Sequence, residues 1–157
     1  MRLNKQNQST LAVFIWFAFL NTHLVLLVLA LIYWRINHPG VPFGQMAIWD
    51  PAIANDTVGF VGLTLATALA GIGLGLGLKF FSEVRQVPND TPVMAPTKLV
   101  LSYAMLDGVG VIGLGLGVLK GNILLGIPFV VTAAICIAVL FPSGDRFPKA
   151  EVKHGRS

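Results

Sequence analysis

Asp107 is the residue in this chain whose type and place could do chemistry: it is the only acid inside any of the long apolar stretches, in Leu106-Asp107-Gly108-Val109-Gly110. At bilayer depth a carboxyl costs about 3 kcal/mol by insertion scales, so its presence there implies a task or a partner. Desolvation favours the neutral acid, and such a group is expected to take a proton from one side and release it when water or a cation approaches. The competing expectation is a permanently protonated Asp107 that donates an interhelical hydrogen bond worth ~1 kcal/mol, with Asn21, Thr22, Ser102, Thr64 or Thr67 as acceptors. The two readings carry equal weight.

Other chemistries find little support. Cys136 is the lone cysteine, so neither an internal disulfide nor a thiolate cluster can form, and no His, Cys or carboxylate set has metal-ligand spacing. His23 is expected to pack against the polar Asn21 region, with proton relay as the minor alternative; haem would need a second histidine in a facing helix, and His38 and His154 fall in a loop and a tail. No nucleophile and base are paired, so an enzyme with its own active site is not expected, nor any cofactor. Gly108-Val109-Gly110-Val111-Ile112-Gly113 satisfies the dinucleotide pattern but lies inside an apolar span without the strand that the motif requires. Asn55-Asp56-Thr57 reads as a helix start capped by Asp56 rather than as a glycosylation site.

The elements that must position Asp107 are membrane helices. The chain is 55% hydrophobic and 11% charged with a mean hydropathy of +0.76. Four charge-poor segments, about 10–34, 58–78, 99–118 and 123–141, approach the ~20 residues that cross a bilayer as a helix. The expected fold is an all-α polytopic membrane protein, a single membrane domain over 1–157 with a basic tail at 142–157. The first apolar run is too long for a signal-peptide core and is read as a retained helix. Nine of the Lys and Arg residues fall at the N-terminus, between spans two and three, and in the tail, against Arg35 and Lys120 on the other side. The positive-inside bias then places both termini in the cytoplasm, in a bacterial inner membrane. The same distribution accounts for the sequence pI of about 9.6 without nucleic acid. Tyr33, Trp34 and Trp49 suit an interfacial belt on the outer side.

Phe17-Ala18-Phe19-Leu20-Asn21 in the first span parallels Tyr103-Ala104-Met105-Leu106-Asp107 in the third, at similar depth and in the same direction. The parallel predicts two helical hairpins related by duplication, with Asn21 as the non-ionisable counterpart of Asp107. Glycines crowd the second and third spans: Gly71, Gly73, Gly75 and Gly77, then Gly108, Gly110, Gly113, Gly115 and Gly117. Pairs four apart share a helix face on which a second backbone can approach closely, so these two helices are expected to pack tightly. A homo-oligomer or a larger membrane complex is the expected state, with the lipid bilayer as the other partner.

Arg85-Gln86-Val87-Pro88, the glycine-rich helix before it and Leu99-Val100-Leu101-Ser102-Tyr103-Ala104-Met105-Leu106-Asp107 after it together resemble the proteolipid c subunit of rotary ATP synthases. In that family a glycine-rich helix leads through an Arg-Gln-Pro cytoplasmic loop into a helix whose central acid carries the ion. The resemblance covers spans two and three and implies that Arg85, Gln86 and Pro88 form the cytoplasmic loop, and that Asp107 is the proton carrier, with Ser102 and Thr64 as neighbouring polar groups. Sodium-binding members place a Gln on the glycine-rich helix; none lies in span two, so H⁺ is the implied ion. Val87 interrupts the loop motif and two further spans flank the hairpin. The alternative is a non-transporting four-helix protein that assembles or modulates a larger membrane complex through its glycine faces.

Overall fold

The computed structural model describes residues 5–42, 55–86 and 97–142, and these are helical, with no strand. The elements are α1 (Lys5–Asn37), α2 (Thr57–Gln86), α3 (Thr97–Leu119), a 3₁₀ turn (Ile123–Gly126) and α4 (Ile127–Val139). Three helices, over Thr10–Asn37, Thr57–Val84 and Thr97–Leu119, are long and apolar enough to cross a membrane, whereas the fourth, Ile123–Val139, is shorter. Phe14, Phe17, Ile36, Phe60, Val118 and Leu119 stand more than half exposed on the outside of the bundle. A single chain in water rarely leaves so much apolar surface bare, and lipid contact accounts for it.

The most extensive helix contact joins α2 to α3, and glycine is what allows it. A Cβ at Gly62 would lie 2.6 Å from the Leu116 side chain, and one at Gly73 would lie 3.1 Å from the Ser102 carbonyl oxygen. Ser102 Oγ donates to the Gly73 carbonyl at 2.6 Å, an interhelical bond that only a close backbone approach permits. Ion pairs clasp this hairpin at both ends: Lys98 with Glu83 at one, Lys120 with Asp56 at the other. Asp56 also caps α2, accepting from the Gly59 amide at 3.1 Å, as its place before the apolar run predicts. The Lys120 ammonium first, and then the Gly59 amide, hold the Asp56 carboxyl below the ordinary carboxylate range.

α3 turns into the last helix through a Schellman motif. Gly121 takes φ +69°, its amide donates to the Val118 carbonyl and the Asn122 amide donates to the Gly117 carbonyl at 2.8 Å. Asn122 then accepts from the Leu124 amide and starts the 3₁₀ turn, and Pro128 opens α4. The C-terminal end of α4 is completed by other helices: Trp16 Nε1 donates to the Ile137 carbonyl at 2.7 Å and the Tyr103 hydroxyl donates to the Leu140 carbonyl at 2.9 Å. Carbonyls at a helix end have no intrahelical donor, and in an apolar setting they need one from a side chain.

The backbone of α1 comes close to α4 and α3 and not to α2, although side chains of α1 and α2 share one apolar cluster. Two equivalent hairpins, α1 with α2 and α3 with α4, are therefore not what the packing displays. Buried apolar residues gather in two clusters. One holds Ala12, Phe80, Leu99, Tyr103, Leu106 and Leu140, the other Ala66, Val109, Leu116, Phe129 and Ala133. Along α3, Asp107 falls between them.

Candidate functional site

α3 turns one face to α2 through Ser102 and another to α4 through Gly113, leaving Asp107 on the flank that α1 approaches. The residue α1 brings there is His23. Its side chain is fully buried while that of Asp107 is 28% exposed, and His23 Nδ1 lies 3.7 Å from Asp107 Oδ1. That separation is too long for a hydrogen bond. His23 Nδ1 lies 2.9 Å from the Phe19 carbonyl oxygen one turn earlier in α1. His23 Nε2 and Asp107 Oδ1 are both buried with no hydrogen-bond partner among the described residues. Buried polar atoms are nearly always paired, so two orphans of complementary chemistry on adjacent helices mark a site.

Gly110 explains how an imidazole fits between these helices. A Cβ at that position would lie 3.2 Å from His23 Nε2 and 3.7 Å from the Val130 Cα of α4. The glycine thus leaves the room that the ring edge occupies.

The other polar residues expected near Asp107 lie elsewhere. Asn21 is exposed on the outer side of α1 rather than facing α3, because positions two apart on a helix are turned about 200° from each other. Thr22, Thr64 and Thr67 each donate to the carbonyl four residues earlier in their own helix, at Ala18, Phe60 and Leu63, which is where a hydroxyl without an interhelical partner turns. Ser102 serves the α2 contact. His23 itself packs against Gly110 and Phe19, not against an Asn21 region.

The glycines divide in the same way. Gly73 and Gly77 face α3 and α4 side chains, Gly108 meets Leu69, and Gly113 and Gly117 meet Phe129 and the Ile123 backbone. Gly71 and Gly75 depart from the expected contact: a Cβ at either meets nothing within 4 Å, and both are exposed. Residues alternating at two-residue spacing cannot share a face, so only one pair of the Gly71 to Gly77 run can turn toward α3. Pro88 and the side chains of Arg85 and Gln86 lie outside the described residues, as do the basic tail and Trp49.

A lateral groove of about 290 Å³ opens between α2, α3 and α4, lined by Leu63, Ala66, Thr67, Val109, Phe129 and Thr132 among others. Its walls do not include His23 or Asp107, and it offers no charged group. Among the described residues no set of three His, Cys, Asp or Glu side chains is placed to hold a metal ion. No protein-family model, curated protein or solved structure matches the chain.

Proposed function

We propose that this chain is an integral membrane protein that handles protons at Asp107, with His23 as the neighbouring base. The observation that carries the reading is the pair itself: two titratable groups from different helices, 3.7 Å apart, each with a buried polar atom that has no hydrogen-bond partner among the described residues. Ionisable groups at membrane depth are costly, and paired ones facing a bundle interior are the common form of intramembrane proton sites. The α2–α3 pair adds support for the c-subunit resemblance, since the glycine-rich helix packs directly against the helix bearing the acid. On this reading the chain works as a homo-oligomer or as a component of a larger complex. The fourth helix with its 3₁₀ turn rises about 28 Å, close to the ~30 Å hydrocarbon thickness, and completes a four-span topology. Both termini then lie in the cytoplasm of a bacterial inner membrane; labelling of a cysteine at Asn89 by an impermeant reagent from outside intact cells would reverse that orientation.

The test uses a hydrophobic carbodiimide, which attacks protonated carboxyls from the lipid phase. It is expected to modify Asp107 selectively and more slowly as pH rises. Asp107→Asn keeps shape and hydrogen bonding but cannot titrate, so it should fold, assemble, escape modification and lose any proton-coupled phenotype. An Asn variant with the parent's phenotype, together with no adduct on the parent at any pH, leaves Asp107 as interhelical glue only.

A second reading, a non-transporting bundle that assembles or modulates a membrane complex, rests on Gly71 and Gly75. Both open outward from α2, where a partner helix can approach its backbone.

A further inference from the structure

The two nitrogens of His23 are not equivalent. Nδ1 lies 2.9 Å from the Phe19 carbonyl oxygen, and a carbonyl only accepts. The contact is a hydrogen bond only when Nδ1 carries the proton, so the neutral ring is held in its Nδ1–H form and its lone pair sits on Nε2. Nε2 is buried, has no partner among the described residues, and turns its edge toward Gly110 of α3. The carboxyl is nearer the opposite nitrogen: Asp107 Oδ1 lies 3.7 Å from Nδ1.

We infer that His23 is a through-ring proton relay to Asp107, taking up a proton at Nε2 on the Gly110 side and delivering the Nδ1 proton to Asp107 Oδ1. The inference rests on the reading of Asp107 as a proton-exchanging group. Uptake at Nε2 from a hydronium ion gives the imidazolium and leaves water. When the Asp107 side chain rotates to close the 3.7 Å gap, the Nδ1 proton passes to the carboxylate, leaving a neutral acid and an Nε2–H ring. No electron changes hands. The product ring faces the Phe19 carbonyl with a bare lone pair, which is repulsive, so the return to the Nδ1–H form is favoured: Asp107 gives its proton back to Nδ1 as Nε2 releases its own to water. The Phe19 carbonyl thereby resets the relay, and Gly110 is a positioning residue that leaves the Nε2 edge uncovered by a side chain.

Few other titratable groups bear on the ring. From α3 there is Asp107, with Tyr103 held by the Leu140 carbonyl; from α4 the described titratable side chain is Cys136, in the cluster that contains Tyr103. α2 makes no close backbone approach to α1.

The test is magnetic resonance on the full chain in lipid vesicles with ¹⁵N-labelled histidine and ¹³C-labelled aspartate. The His23 signals are assigned by their loss in His23→Gln, or by through-space contact with the Gly110 Cα if that variant does not fold. With the ring neutral, Nδ1 is expected to show the proton-bearing signal and Nε2 the bare one. On acidification Nε2 should gain its proton over the same pH interval in which the Asp107 carboxyl signal shifts. Gly110→Ala should displace the Nε2 signal while the Nδ1–H signal persists; an unmoved Nε2 signal removes Gly110 from the account. A neutral ring protonated at Nε2, or an Asp107 carboxyl that titrates while Nε2 does not change, overturns the relay alone. A carboxyl signal that stays constant at every pH overturns the proton-handling reading, and the relay with it.

Discussion

Gly113→Leu should sharply lower accumulation of folded protein, while Gly75→Leu on the neighbouring helix should accumulate like the parent. At Gly113 there is no room for a side chain: an added Cβ would fall 2.2 Å from the Phe129 Cβ, and on the facing side one at Gly126 would fall 2.8 Å from the Leu114 Cα. Neither obstacle is the free end of a flexible side chain, so α3 and α4 must separate. Overpacking of a filled core costs about 1–3 kcal/mol, and a leucine driven onto the Phe129 Cβ belongs at or above that limit. Against a total stability of roughly 5–15 kcal/mol this is a large fraction, enough to lower the yield of folded protein. At Gly75 nothing lies within 4 Å, and replacing a helical glycine removes a local propensity cost of up to ~1 kcal/mol. The measurement is the yield of monodisperse protein in a gentle-detergent extract. Equal yields for both variants would sink the packing scheme. A folded Gly75→Leu protein that no longer forms oligomers would identify the outward glycines as an assembly surface.

The second large effect is expected at Tyr103, where Tyr103→Ala should lower stability by about 4–8 kcal/mol: roughly 3–5 for an aromatic truncated in a filled core, and 1–3 for the carbonyl left unpaired. Tyr103 is fully buried, tilts against Phe19 at 5.7 Å between ring centres, and donates to the Leu140 carbonyl at the end of α4. Tyr103→Phe separates the two contributions, since it keeps the ring and drops the hydroxyl, and only the smaller loss is expected of it. Thermal unfolding in detergent reads both. If the Phe and Ala variants unfold at the same temperature, the hydrogen bond to α4 outweighs the packing and the expected order is inverted. A Phe variant indistinguishable from the parent would mean that the Leu140 carbonyl finds another donor.

Particular residues show why some of this architecture is legible from the chain alone. Helix number and helix class follow from the lengths of uncharged sequence, and the asparagine and glycine of the α3–α4 turn take the roles that their backbone preferences suit. Asp56 is readable as a cap because capping is local. The inner face of α1 is regular but not marked out by polarity: Ala12, Trp16, Phe19, His23, Leu26, Ala30 and Trp34 recur three or four residues apart, while Phe14, Phe17, Leu24 and Val28 make the exposed side equally apolar. The parallel between Asn21 and Asp107 points two residues away from His23, to a position on the outside.

What the sequence by itself determined is what depends on neighbours in the chain: apolar stretches the length of membrane spans, an acid misplaced within one of them, and glycine runs that permit close backbone contact. Only the tertiary structure decided which faces meet. It set His23 rather than Asn21 beside Asp107, left Gly71 and Gly75 outward, laid α1 on α4 instead of α2, and joined Asp56 to Lys120 and Trp16 to the end of α4. The physical reason is that a helix apolar around nearly its whole circumference has no polar side to orient it. In lipid no water distinguishes its faces, so its rotation is chosen by backbone approach and by buried hydrogen bonds to residues as far away as 121 positions in the chain.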